Sequence, residues 1–222
     1  MIKRLTLIWY QNHSEMENTQ TMQPVAALYN QLRQPSGFAA KIKSWATASQ
    51  NKTISSWAIE QLRIQPYQHI LEIGYGNGIT LHEAAKKLRI GFLAGIDESV
   101  SSYKQAHKKN KRFIEQELMQ LHVGSVESLS YPAHYFHSIY STNVYSSWKE
   151  PQYKFMQLGN LLKSGGKLIT LFQPQSRITE KEAWNAAEKI QDEYMKAGLS
   201  DVRLSFREIH SATCIAAVGY KD

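Results

Sequence analysis

The chain has 222 residues, 42% hydrophobic and 20% charged, so it can build a packed core and is too apolar for wholesale disorder. Its one cysteine, Cys214, excludes an intrachain disulfide and any cysteine-based zinc site. Lys and Arg total 26 against 19 Asp and Glu, and the net charge of +7 raises nucleic acid as a partner.

At roughly 100–200 residues per domain, this is one domain with at most a small appendage. Residues 11–23 are polar and lack periodicity. The apolar stretch from Leu5 to Tyr10 is far shorter than the ~20 residues of a membrane-spanning helix. No small-residue cleavage site follows it, so residues 1–23 read as a flexible tail and a cytoplasmic location is expected, with no membrane partner. Helical patterning starts at Pro24, a good first-turn residue, and runs through Leu28 and Leu32 to a break at Pro35-Ser36-Gly37. A second helix, 38–48, carries Ile42 and Trp45. A third, 53–62, sets Ile54, Trp57, Ala58 and Leu62 at helical spacing before Pro66 stops it. Residues 24–65 read as a helical lid and 66–222 as the main domain.

From there the pattern alternates. Short apolar strands are predicted at 69–73, 92–96, 121–123, 136–141 and 167–172, with helices at 79–88, 101–119, 152–162 and 179–197 between or after them. Two further strands, 201–207 and 213–220, close the chain without a helix between them, which predicts an antiparallel pair. The expected fold is α/β: a seven-stranded, mainly parallel sheet with helices on both faces and an antiparallel C-terminal strand pair.

The positive charge is uneven. Residues 1–65 carry 7 basic and 3 acidic groups, and residues 86–112 carry 8 and 2, while the remainder is net −3. The run His107-Lys108-Lys109-Asn110-Lys111-Arg112 can bind phosphates, but such a run is more often the solvated face of a helix.

In an open sheet of this kind, ligands bind beyond the carboxyl ends of the strands. The chain places Glu72-Ile73-Gly74-Tyr75-Gly76-Asn77-Gly78 there. Alternate glycines let the backbone turn tightly and approach a ligand, and the following helix aims free N–H groups at the same spot. A dinucleotide fingerprint is G-x-G-x-x-G, but position 79 is Ile, and no G-x-x-x-x-G-K-[ST] phosphate loop is present. A carboxylate at Glu72 would repel a pyrophosphate and suit a cationic ligand.

Leu71-Glu72-Ile73-Gly74-Tyr75-Gly76-Asn77-Gly78 resembles motif I of the class I S-adenosylmethionine-dependent methyltransferases, and the resemblance runs from about residue 50 to the end. It implies a Rossmann-like sheet and S-adenosylmethionine as cofactor, with Glu72, Gly74, Tyr75, Gly76 and Gly78 around it. Asp97, ending Gly95-Ile96-Asp97, matches the acid that binds the ribose hydroxyls, and Glu98 is its neighbour. A carboxylate can accept both hydroxyl hydrogens of a ribose. Val123-Gly124-Ser125-Val126 resembles the adenine-contact loop, with Ser125 where Asp is common. The segment 136–143, ending in Asn143, matches the fourth-strand motif, with His137 at a position usually acidic. Leu161-Leu162-Lys163-Ser164-Gly165-Gly166 resembles the turn before strand five. Gln34-Pro35-Ser36-Gly37 and Asn51 resemble the lid of small bacterial members.

Substrate candidates come from loops at the same edge: Tyr145, Trp148 and Arg177, with Phe172 beside them, and from the lid, Tyr29, Phe38 and Trp45. For the aromatic residues, core packing is the competing reading, and for Trp45 and Trp57 it is favoured. Cys214 reads as a small buried hydrophobe on a terminal strand. His134 and His137 lack neighbouring acids and do not read as a metal site, and His210 is a base only if its loop reaches the pocket. The favoured function is methylation of a small molecule. RNA or protein methylation, suggested by residues 86–112, and a binding module that holds the cofactor without turnover are the alternatives.

Overall fold

The structure is a computed structural model. It describes residues 48–174, 178–209 and 212–222. The tail at 1–23, the helix at 24–32, all but the last residue of that at 38–48, and the candidates Tyr29, Phe38, Trp45, Arg177 and His210 lie outside the described residues.

Helix α1 (Ala48–Leu62) leads into β1 (His69–Ile73), α2 (Ile79–Ala85), β2 (Phe92–Asp97), α3 (Val100–Glu115) and β3 (Met119–Val123). The chain continues through β4 (Phe136–Thr142), α4 (Pro151–Leu161), β5 (Leu162–Phe172), α5 (Glu180–Lys196), β6 (Leu199–Ile209) and β7 (Ala212–Lys221). The seven strands form one sheet in the order β3-β2-β1-β4-β5-β7-β6. β1 to β5 are parallel, and β7 runs antiparallel between β5 and β6. No helix among the described residues is long and apolar enough to cross a membrane.

Strand alternation sends successive apolar residues to opposite faces. Ile70, Leu93 and Ile169 pack with Trp57, Leu81 and Ala106 of α1, α2 and α3. Leu71, Ala94 and Leu168 pack with Phe155 and Leu158 of α4 and Ile190 and Tyr194 of α5. This two-faced burial explains why the central strands read as continuous apolar runs. Helix α1 contains the third helix assigned to the lid, yet Ile54, Trp57, Ala58 and Leu62 are all buried in the core of the sheet.

β5 begins at Leu162, earlier than the expected 167, because Leu162 pairs with Phe136 and the register then jumps to Lys167 opposite Ser138. Gly165, at φ +71°, and Gly166 form the irregularity, and a Cβ on Gly166 would lie 2.7 Å from the Lys163 carbonyl. Helix α5 opens with a reciprocal cap in which Thr179 accepts from the Glu182 N–H and the Glu182 carboxylate accepts from the Thr179 N–H.

Candidate active site

β1 lies between β2 and β4, and the chain turns back across the sheet between β3 and β4. The carboxyl end of β1 is therefore the switch point where a ligand crevice opens. Residues 74–78 fill it, and their three glycines do different work. Gly74 donates its N–H to the Ile96 carbonyl at 2.7 Å, and a Cβ there would lie 2.3 Å from Val144 Cγ2. A Cβ on Gly78 would lie 2.7 Å from Ala106 Cβ and from Asn110 Nδ2, so this glycine lets α3 close against the loop. Gly76, at φ +51°, has nothing within 4 Å of its Cβ position. It is the one that faces open space.

Asp97 ends β2 with both carboxylate oxygens tied to the backbone. Oδ2 accepts from the Gly76 N–H at 2.8 Å and Oδ1 from the Ser99 N–H at 2.9 Å. Ser99 in turn caps α3, its Oγ accepting from the Ser102 N–H. The carboxylate thus fixes the glycine loop to the start of α3. Each oxygen keeps lone-pair capacity, and the side chain is half-buried. Glu98 beside it is exposed.

Glu72 stands directly behind the loop, on the face covered by α1 and α2. It is 2% exposed, and Tyr140 on β4, its register partner, donates its hydroxyl to Oε2 at 2.7 Å. The Leu81 N–H in the first turn of α2 and the Thr80 hydroxyl also bond it, and Thr80 in turn meets Ser55 of α1 at 2.8 Å. Burial, aided by the negative charge of Asp97, pushes the carboxyl up to about 8. Glu72 thereby joins β1, β4 and α2. The sequence reading expects this carboxyl at a cationic ligand; in the structure its bonds run to Tyr140, Thr80 and the Leu81 N–H.

A family model described as a methyltransferase domain matches residues 71–170, from the strand before the glycine loop into β5. A curated relative, the uncharacterized methyltransferase YdaC of Bacillus subtilis, is 27% identical over 181 residues, covering 81% of this chain and 98% of its own. These matches support a class I S-adenosylmethionine-dependent methyltransferase.

Among solved structures, an S-adenosylmethionine-dependent methyltransferase from Aquifex aeolicus shares the fold of this methyltransferase. Its TM-score is 0.62 at 15% identity, over 81% of this chain and 96% of that one. A phosphoethanolamine N-methyltransferase of Haemonchus contortus, in complex with phosphomonomethylethanolamine and S-adenosylhomocysteine, superposes with a TM-score of 0.63 at 13% identity. It covers 76% of this chain, which spans about half (52%) of that larger protein.

Several side chains assigned to the pocket of the methyltransferase are structural. Tyr75 is 3% exposed: its ring lies across Gly95, and its hydroxyl donates to the His122 carbonyl at 2.9 Å. Only its backbone faces the crevice side of the loop. Asn143, at φ +62°, uses its Oδ1 to accept from the Gln173 N–H at 2.8 Å and so joins the ends of β4 and β5. Tyr145 and Trp148 are 5% and 7% exposed and pack on Phe155, the first stacked at 5.9 Å and the second edge-on at 5.3 Å. They support the loop after β4 and present little surface to a substrate. Phe172 is also buried.

In the loop after β3, the Ser125 carbonyl accepts from Ser128, and its hydroxyl bonds Glu127, itself paired with Lys154. Val126 is buried against Ile73 and Ile96, which leaves the backbone of 125–126 as the part of this loop at the crevice. Cys214 is fully buried, its thiol raised to about 12 chiefly by burial. His134 bonds the Leu162 carbonyl and His137 the His69 N–H, and among the described residues no group of acids, histidines or cysteine is placed to hold a metal. Tyr140, Thr80 and Ser55 escaped the sequence reading. Only the hydroxyl of Tyr140, on a buried strand opposite Glu72 in register, hinted at them.

Proposed function

We propose that this methyltransferase moves the methyl group of S-adenosylmethionine to a small-molecule acceptor by direct in-line displacement. The observation that carries the reading is the open space at Gly76 beside the anchored Asp97 carboxylate, a cradle that a side chain would fill. Asp97 would accept the two ribose hydroxyl hydrogens on its remaining lone pairs. Gly76 would let the backbone lie against the cofactor, and the backbone of Ser125 and Val126 would border the adenine. Glu98, being exposed, would touch only the outer side of the ribose.

When bound, the cofactor supplies a methyl carbon on a positively charged sulfur, activated for attack by an acceptor lone pair. The chain's part is to align the acceptor and exclude water. A base is required only where the acceptor must first lose a proton. The charge distribution favours a small acceptor over RNA: the lysines of α3 lie on its exposed side, whereas Ala106 and Asn110 are the residues that face the glycine loop. The Haemonchus neighbour, whose named partner is a small phosphorylated amine, is in keeping with this. Labelled methyl transfer into metabolite, RNA and protein extracts tests it. Label in the small-molecule fraction is the expected result, and label confined to RNA or protein would overturn it.

A further inference from the structure

The sheet ends at β6, and among the described residues no strand pairs with its outer edge: β6 is joined to β7 alone. An open row of backbone N–H and C=O groups is a template for another strand, and proteins usually shorten, bend or charge such edges. β6 runs for 11 residues, and its register slips only at its start, between Ser200 and Arg203, where Asp201 takes φ +43°. From Arg203 to Ile209 each residue stays in step with β7.

The side chains of β6 alternate in chemistry as well as in face. Val202 and Leu204 belong to the face covered by α4 and α5 and are only partly buried there. Phe206 continues that row, 4.5 Å from the ring of Trp184 on α5, which is itself 44% exposed. On the other face Arg207 lies over Trp57 of α1 and pairs with Glu60, while Arg203 lies over Tyr220 and pairs with Asp201. An apolar row thus reaches the rim of the sheet, with an exposed acid, Asp201, before it and an exposed base, Arg207, after it.

We propose that β6 is a dimerisation edge: the β6 of a second copy pairs with it antiparallel about a two-fold axis at Leu204, and one sheet continues through both chains. In a two-fold contact, residue i meets j and j meets i, so the edge must complement itself. With Leu204 opposite itself, Val202 of each copy faces Phe206 of the other, Arg203 faces Ser205, and Asp201 comes within reach of Arg207. The adjacent registers fail on charge, since like charges directly opposite are destabilising. Centred on Arg203, that arginine opposes itself; centred on Ser205, Arg203 opposes Arg207. A second copy is the occupant that brings the matching acid and base in reversed order. The proposal is independent of which acceptor is methylated, because β4, β5 and β7 lie between β6 and the strand that carries the glycine loop.

Sedimentation equilibrium on the full chain tests it. The parent should be dimeric in the micromolar range. Arg207→Asp should weaken the dimer about tenfold or more, because two acid–base contacts become two like-charge ones. Asp201→Arg, which leaves Arg207 on Trp57, should weaken it likewise. The swap Asp201→Arg/Arg207→Asp should return the affinity to within about threefold of the parent. Within one chain these two positions are roughly 20 Å apart along the extended strand, too far to touch, so the rescue reads a contact between copies. Far-UV circular dichroism checks that each variant is folded. A monomeric parent, a dimer that neither single variant weakens, or a folded swap that does not restore the dimer would each overturn the proposal.

Discussion

At the scale of single residues, the three loop glycines should separate cleanly. Gly76→Ala puts a methyl where nothing lies within 4 Å and keeps a left-handed φ of +51°. It should cost about 1–2 kcal/mol of stability from backbone strain and remove most S-adenosylmethionine affinity. Gly74→Ala and Gly78→Ala drive a methyl into Val144 or into Ala106 and Asn110, so they should damage the fold itself. Thermal melting with and without cofactor distinguishes the two outcomes. Glu72 gives a pH signature. Its folded proton affinity is raised to about 8, so the stability it contributes is full below about pH 4.5 and is lost as the pH rises through 8. Glu72→Gln should therefore overtake the parent by about 2–4 kcal/mol in urea unfolding at pH 9, while the two lie close together at acid pH. Parallel curves would show that the carboxyl is ionised throughout. The glycines and the two acids were legible because their spacing is dictated by a turn and a ligand. The raised proton affinity of Glu72 was not, since it comes from burial behind the loop, which outweighs the opposing hydrogen bond from Tyr140.

Among the elements, the joint between α3 and the loop is the one most open to test. Asn110 is fully buried in α3. Its amide donates to the Gly78 and Ala106 carbonyls at 3.1 and 3.0 Å, and its Oδ1 lies 3.1 Å from His82 Nδ1. Asn110→Ala leaves the Gly78 carbonyl without this donor and should cost about 2–4 kcal/mol, read from the urea midpoint. A change below about 0.5 kcal/mol would mean that the contact is incidental. Every expected strand in the described chain is present, because buried strands and amphipathic helices differ in period and length. What periodicity did not separate was an aromatic side chain lining a pocket from one buried beside it. Tyr75, Tyr145 and Trp148 all lie on the pocket-side loops and all turn inward, toward Gly95 or Phe155. The sequence reading assigns α1 to the lid while favouring core packing for its Trp57, and Trp57 and Leu62 are both buried in the core.

For the whole molecule, the net charge of +7 comes from residues 1–65 and from the stretch 86–112, which spans the end of α2 to α3. The carboxyl edge holds the glycine loop and Asp97. The exposed cations of α2 and α3 lie on the solvent side of the helices that cover one face of the sheet. The central claim, that the loop and Asp97 hold S-adenosylmethionine, is tested most directly by titrating the cofactor into the full chain and into Asp97→Ala by calorimetry. The parent should bind, and the variant should bind about 1.5–3 kcal/mol more weakly because charge-assisted hydrogen bonds are lost. No heat with the parent, or an affinity untouched by Asp97→Ala, would contradict the account.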